Sequence, residues 1–406
     1  MQEKFAASYF ANAIKIIEEY SGDIPFHHFL KNYFSQNRKF GSKDRKYISS
    51  LCYSFFRTGH AIENISIEDK LKTAFFLCCD QDHPLKIIYH ESWIEKWNES
   101  ITQKIDFIKS IHPSFHEEKI FTLKDELSSG IDHLSFSLSH LIQPLLFLRI
   151  RPGKKQYVLN NLDTNNISYK IFTENCIAFE NATQLDKIVS INRDAVVQDY
   201  SSQRTGEFME MMEVKSKKEK GKTEVWDCCA ASGGKSILAY DTIKNISLTV
   251  SDIRPSILNN LKKRFTEAGI RNYTSFVADL SVNSQPLTVN RIQPAVDRQL
   301  YSAIICDAPC SGSGTWGRTP EQLFFFDEKE ISSFSSLQKK IAGNAISHLE
   351  HGGYFLYITC SVFKKENEDV AEYIKENFHL TLLKMEVLKG YEQRADTMFA
   401  ALFIKE

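Results

Sequence analysis

Charge of one sign is missing from this chain: 50 Lys and Arg stand against 51 Asp and Glu, a formal net charge of -1. No global field draws such a chain to a polyanion, so any grip on phosphates has to come from local patches. Also missing is a run of about 18 apolar residues, which leaves no ordinary membrane-spanning helix to expect. The opening MQEKFAASYFANAIKIIEEY has the spacing of an amphipathic helix with acidic residues, not a basic stretch followed by an apolar core, so no secretory signal is expected. There are nine cysteines but no CxxC pair, and with that pair goes the usual spacing of a structural zinc site. No metal is therefore expected, and the odd cysteine count reads as reduced thiols in a cytoplasmic protein. Repeats and low-complexity tracts are absent as well. Two nucleotide fingerprints fall short in the segment 227–236: G-x-G-x-x-G is not found there, and G-x-x-x-x-G-K-[ST] is broken by Cys229 at its first glycine position.

What is present suits two or three globular domains, with 406 residues and 42% hydrophobic content. Residues 1–145 show apolar residues at three- and four-residue spacing, as in FAASYFANAIKII, YISSLCYSFFR and KTAFFLCC, and predict an all-α domain. Residues 146–222 mix patterns and predict a small α+β domain. LFLRIRP, ISYKIF, CIAFEN (176–181) and AVVQDYSSQ (195–203) read as short strands, and KKQYVLNNLDTNN as a helix. The lysine-rich run 214–222 reads as a solvated loop, with RNA-phosphate contact as the sharper option. Residues 223–406 alternate. EVWDCCA, SLTVSD, YTSFVAD, YSAIICDAP and YFLYITCS are strand-like, and most are separated by helix patterns, which predicts an α/β fold with a doubly wound parallel sheet. LTLLKMEVL and TMFAALFIKE are expected to add antiparallel edge strands, and 281–300 to be a surface insertion.

In such a sheet, ligands bind beyond the carboxyl ends of the strands. Four strands carry an acid at or near that end: Asp227, Asp252, Asp279 and Asp307. One alone would be an ordinary helix cap. Together, and with Asp252 falling 25 residues after Asp227, they suggest a second-strand acid that meets a ribose hydroxyl. Between the first strand and its helix runs Cys229-Ala230-Ala231-Ser232-Gly233-Gly234-Lys235, whose small residues let backbone approach a ligand. A plain tight turn would need no such acids beside it. A cofactor with a ribose and no pyrophosphate fits, and S-adenosylmethionine is one.

Most of the thiols read as small buried hydrophobes. Cys310, in DAPCSG, and Cys360, in YITCS, do not, because both fall at strand ends among turn-forming residues. Residue chemistry narrows the reactive thiols to these two and leaves their order open.

The segments VQDYSSQ (197–203), DCCAASGGK (227–235), SDIRPSIL (251–258), DAPCSGSGTWGRTPE (307–321), YITCS (357–361) with Glu366-Asn367-Glu368, and DTMFAALFIK (396–405) together resemble the RsmB/NOL/NOP/Sun group of RNA 5-methylcytosine methyltransferases. The likeness spans about half the chain, and FGSKDRKYISSLCYSFFR (40–57) is similar to the N-terminal, NusB-like helical domain of bacterial members. The resemblance implies a Rossmann-like methyltransferase sheet, S-adenosylmethionine as cofactor and a monomeric enzyme acting on RNA, small-subunit ribosomal RNA before transfer RNA. It implies that Cys360 is the nucleophile, that Cys310 assists product release, and that Asp307 contacts the base. It also implies that Cys229 to Lys235, with Asp252, Asp279 and Asp307, hold the cofactor. One departure is Ser232, where the family usually has proline; serine does not pre-set the turn, which predicts a less rigid loop.

A thiol suits the implied chemistry. Carbon 5 of cytosine is a poor nucleophile until a thiolate adds to carbon 6. The target base must leave its stack to be reached, so a loop or opened RNA is the expected substrate. RNA contact is expected from Arg38, Lys39, Lys43, Arg45 and Lys46, opposed only by Asp44, and from Arg318 near Trp316. Arg149, Arg151, Lys154 and Lys155 form a second basic cluster. Two other readings compete. A non-catalytic RNA-binding or assembly factor would fail to bind the cofactor, and an NTPase using the GGKS segment would bind nucleotide.

Overall fold

The computed structural model describes residues 1–79, 82–181, 183–212, 222–282 and 299–406. Most of the lysine-rich run 214–222 and of the predicted insertion 281–300 lies outside these. The chain divides into two compact units, and it crosses between them more than once.

The first unit comprises residues 1–125, 132–143 and 315–328 and is helical throughout its described residues. Its longer helices are Glu3–Glu19, Phe26–Gln36, Ser42–Arg57, Ile67–Cys78 and Ile101–Ile111. Their starts carry local signals. The Ser66 hydroxyl accepts from Asp69 N, and Ser100 and Gln103 form a reciprocal capping box, satisfying N–H groups that a first turn leaves open. The core is aromatic: Phe26, Phe56, Phe75, Phe76 and Trp97 are fully buried. Residues 315–328 are stitched into this unit. Trp316 packs on Phe121 at 5.8 Å, Phe325 meets Tyr20 at 5.1 Å, and Phe26 N donates to Glu321 Oε1 at 3.1 Å.

The second unit holds residues 126–131, 144–314 and 329–406 and contains two sheets. The smaller is antiparallel, with β1 (Leu146–Ile150), β2 (Lys170–Ile171), β3 (Cys176–Phe179) and β4 (Ala195–Val197) in the order β2-β3-β1-β4. AVVQDYSSQ is not one strand: it ends as β4 at Val197, and Asp199 then caps a helix, Tyr200–Glu210, by accepting from Ser201 N at 2.9 Å. An Asp whose side chain can accept from the amide two residues on is a helix start, and that signal outweighs the alternation before it.

The larger sheet is built from β5 (Thr223–Asp227), β6 (Ile246–Asp252), β7 (Tyr273–Val277), β8 (Tyr301–Asp307), β9 (Leu349–Thr359), β10 (Leu380–Leu388) and β11 (Met398–Lys405). Its order is β10-β11-β9-β8-β5-β6-β7, parallel from β7 across to β9, with β11 antiparallel to β9 and β10 antiparallel to β11. Only β10 is an edge at that side; β11 is interior. The near-continuous apolar composition of β8 and β9 follows from burial on both faces. Strand order reverses between β5 and β8, and that switch point opens a crevice at the carboxyl ends. The small sheet is bolted to the helix Gly234–Thr242, because Arg149 and Arg151 both reach Asp241 at 2.7 Å. Both arginines are buried, so their charge is spent internally and the second basic cluster does not offer them to RNA. Among the described residues no helix is long and apolar enough to cross a membrane.

Candidate active site

The register of the parallel strands brings the predicted acids to one edge of the sheet, staggered by two residues rather than level. Asp227 lies level with Val250 on β6 and Ile305 on β8, and Asp252 with Val277 on β7. Asp227 is fully buried; Ser236 Oγ donates to its Oδ2 at 2.5 Å, while Oδ1 has no partner among the described residues. Burial pushes its carboxyl up to about 7, opposed by the Ser236 hydrogen bond. Asp252 is an organiser of the loop below it. Its Oδ2 accepts from Ala231 N at 3.0 Å, and its Oδ1 accepts from Arg254 N and Nε at 2.9 and 3.0 Å. Asp279 sits two residues past β7, exposed, and accepts from Ser281 N and Oγ. Asp307, at the tip of β8, takes a hydrogen bond from Lys235 Nζ at 3.2 Å, and the same ammonium donates to Ser202 Oγ at 2.8 Å.

The loop from Cys229 to Lys235 turns sharply. Ala231 has φ 45° and Gly233 φ 87°. A Cβ at Gly233 would come 2.8 Å from Phe265 Cε1, whereas one at Gly234 would meet nothing within 4 Å. The loop is thus packed on the Pro255–Glu267 helix on one side and open at its rim on the other, as close approach to a ligand requires. Ser232 is tethered: Arg264 Nη1 donates to its Oγ at 3.0 Å and to its carbonyl at 3.1 Å.

The two singled-out thiols come together. Cys310 Sγ and Cys360 Sγ lie 3.2 Å apart, both half-buried, at the ends of neighbouring strands β8 and β9. The hydrogen bond with Cys360, then burial, raises the Cys310 thiol well above its ordinary value. The turns after the two cysteines are tied through Glu366, which is fully buried. Its Oε2 accepts from Ser311 N and Gln338 Nε2, each at 2.9 Å, and its Oε1 from Ser361 Oγ at 2.7 Å. Next to it, Asn367 Nδ2 donates to Ser361 O at 2.9 Å and its Oδ1 accepts from Thr359 Oγ1 at 2.5 Å. Gly314 N donates to Cys360 O at 2.9 Å, and Thr397 N donates to Gly314 O at 2.8 Å. A Cβ at Gly314 would fall 1.9 Å from Thr397 O, so only glycine fits there.

A second sulfur cluster lies deeper. Cys228, Cys229 and Cys306 bring three sulfurs within 4.8 Å of one another, a grouping that could hold a soft ion. Spacing in the sequence missed it because one member comes from β8 and the others follow β5. Sequence reasoning also missed Glu366, Asn367, Ser202, Arg264 and Gly314 as parts of the site. Glu366 and Asn367 were visible only as a segment after YITCS; Ser361 and Thr359 are near in sequence, but Ser311 and Gln338 lie too far along the chain for spacing to reveal. Of the residues expected to touch RNA, Arg38, Lys39, Lys43, Arg45 and Lys46 are exposed on the helical unit. Arg45 also donates Nε to Phe40 O at 2.9 Å, and Asp44 accepts from Tyr9 OH at 2.7 Å. Arg318 is half-buried within the segment 315–328 of that same unit.

Comparison with known proteins agrees with this geometry. Residues 214–401 match the family described as 16S rRNA methyltransferase RsmB/F. A probable ribosomal RNA small subunit methyltransferase B of Coxiella burnetii is 27% identical over 59% of this chain and 53% of its own. The chain spans about half the length of the curated relatives it matches. Among solved structures, PH0851 aligns over 100% of this chain and 99% of its own at 17% identity and TM-score 0.66. NSun6 from Pyrococcus horikoshii, solved with SFG, aligns over 67% of this chain and 95% of its own at 13% identity and TM-score 0.54. These structural likenesses show a Rossmann-like methyltransferase fold, and residues 214–401 are similar to the RsmB/F methyltransferase family.

Proposed function

We propose that the protein is an S-adenosylmethionine-dependent RNA cytosine-5 methyltransferase that acts on small-subunit ribosomal RNA through a covalent bond between Cys360 and the base. The observation that carries this reading is the thiol pair, 3.2 Å apart, beside Asp307 at the carboxyl edge of a methyltransferase sheet. Bound S-adenosylmethionine supplies an electrophilic methyl group. The loop Cys229–Lys235 would hold it with Asp252, Asp279 and Asp307, and the open rim at Gly234 is compatible with that. Arg254, whose side chain is 60% exposed, would swing off Asp252 to free an oxygen for the ribose.

The chain's own residues do the following. Cys360 gives up its thiol proton to solvent and its sulfur bonds carbon 6 of the cytosine; the π electrons of the carbon 5–carbon 6 bond shift into the ring and make carbon 5 nucleophilic enough to take the methyl group. With a proton on its carboxyl, Asp307 donates a hydrogen bond to N3 of the ring and lowers the cost of that addition. Lys235 and Ser202 hold Asp307 in place. Once carbon 5 is methylated, a base removes its proton, the electrons restore the carbon 5–carbon 6 double bond, and the sulfur leaves as thiolate. Cys310 assists this release. Arg38, Lys39, Lys43, Arg45 and Lys46 supply phosphate contacts from residues 1–145, the RNA-binding domain in this reading, and Arg318 meets the target strand's backbone or stacks on a base.

Single-turnover methylation with labelled cofactor tests the reading, with ribosomal and transfer RNA as separate substrates. A Cys360→Ser protein that keeps the full rate would sink it. Bisulfite sequencing of RNA from cells with and without the gene identifies the cytosine. If cofactor fails to bind in calorimetry, a non-catalytic RNA-binding role replaces this one.

A further inference from the structure

A carboxylate with only neutral donors around it is an expensive choice for a fully buried position. Glu366 accepts from a backbone amide, a side-chain amide and a hydroxyl, and glutamine could satisfy that set without burying charge. Its oxygen would face Ser311 N and Gln338 Nε2, and its amide could donate to Ser361 Oγ. The charge therefore calls for a reason outside packing, and the neighbours provide it. Oε2 is bonded to the residue after Cys310 and Oε1 to the residue after Cys360. Repulsion from this carboxylate adds to the Cys360 contact and burial in raising the Cys310 thiol. Other titratable groups face the pair: Tyr357, whose OH donates to Glu366 O at 2.7 Å, with Cys306 and Cys229 beyond it, and Asp307 with Lys235 on the cofactor side.

We propose that Glu366 is a positioning residue for the thiol pair: it pins the turn after Cys310 to the turn after Cys360 and keeps the two sulfurs chemically unequal. The division of labour between attacker and releaser rests on the methyltransferase reading, and Glu366 is what enforces it. Cys310 stays a thiol able to give or hold a proton.

The test uses the full-length protein without RNA or cofactor, so it fails or succeeds independently of the methylation assay. Iodoacetamide labelling from about pH 6 to pH 9, read by peptide mass mapping, measures each thiol. In the native protein Cys360 is expected to be modified about tenfold faster than Cys310, whose thiol is held up by its neighbours. In Glu366→Gln that ratio should fall at least about threefold, with Cys310 reacting at lower pH because the repelling charge is gone; Glu366→Asp, which keeps the charge, should recover part of it. A second measurement reads the clamp. Diamide takes the two thiol hydrogens, is itself reduced to the hydrazine, and leaves a Cys310–Cys360 disulfide. Ser361→Ala, which cuts one tie and keeps the carboxylate, should slow that closure about fivefold by loosening the approach of the two sulfurs. Unchanged labelling ratios in folded Glu366→Gln, with unchanged closure in Ser361→Ala, would overturn the proposal. If Glu366→Gln does not fold, Glu366→Asp and Ser361→Ala decide it on the same readouts.

Discussion

The second unit contains two groups of cysteines that differ in almost everything except their element. Cys310 and Cys360 lie half-buried at strand ends, ringed by Ser311, Ser313, Ser361, Glu366 and Asn367. Cys228 and Cys306 are fully buried in an apolar cluster with Trp226, Phe276 and Tyr357, and Cys229 packs against it. In the trio the neighbouring thiols donate toward Cys306 and hold it at about 6, while burial lifts Cys228. A low value in a sealed site activates nothing, because no substrate reaches the sulfur. The pair differs in its access and in the polar frame of Ser311, Ser361 and Glu366 around it, so the two groups separate surroundings from the mere gathering of sulfurs.

That contrast can be broken most directly by deleting one thiol from each group. Cys360→Ser is expected to lower single-turnover methylation by about a thousandfold or more, whereas Cys306→Ala should leave it within about threefold. An equal loss in both would end the distinction. Cys310→Ser should slow multiple turnover by about a hundredfold while a covalent protein–RNA adduct accumulates, visible as a band resistant to denaturing electrophoresis. Stability sharpens the other side of the comparison. Asp227 borders the trio, and its carboxyl is raised to about 7, above the usual carboxylate range. The folded state therefore holds a proton there that the unfolded chain gives up. The destabilisation is absent below about pH 4, grows as pH rises and is complete above about pH 7. Asp227→Asn should accordingly stabilise the cofactor-free protein by roughly 2–3 kcal/mol at pH 8, in thermal melts, with the gain shrinking toward pH 4. Cys306→Ala should cost about 1–2 kcal/mol through lost packing in the sealed cluster. The smallest effect is expected from Ser232→Ala. Losing the Arg264 tether should weaken S-adenosylmethionine binding by only a few-fold in calorimetry.

The parts of this arrangement that sequence exposed are those that repeat along a strand. The near-continuous burial of β8 makes it recognisable, and its period ends at Asp307, so the acid row could be seen before any coordinates. Cys310 and Cys360 were visible for the same reason. What stayed hidden depends on which strands become neighbours. Cys306 joins Cys228 only because β8 pairs with β5, and Glu366 reaches Ser311 only because β8 also pairs with β9. Arg149 and Arg151 looked like a basic patch, since nothing near them in sequence announces Asp241 as their partner. The Ser232 departure predicted a looser loop; Arg264, on a different element, supplies a tether that a proline ring could not accept.

The placement of β11 has a consequence for biosynthesis. This strand lies between β9 and β10, and Thr397 at its start donates to Gly314 beside Cys360. On the ribosome, β9 is complete long before residues 398–405 emerge, and until then one side of it has no partner. In the growing chain Cys360 therefore follows an open strand edge. The turn that holds it is closed only when the last strand has been threaded between β9 and β10.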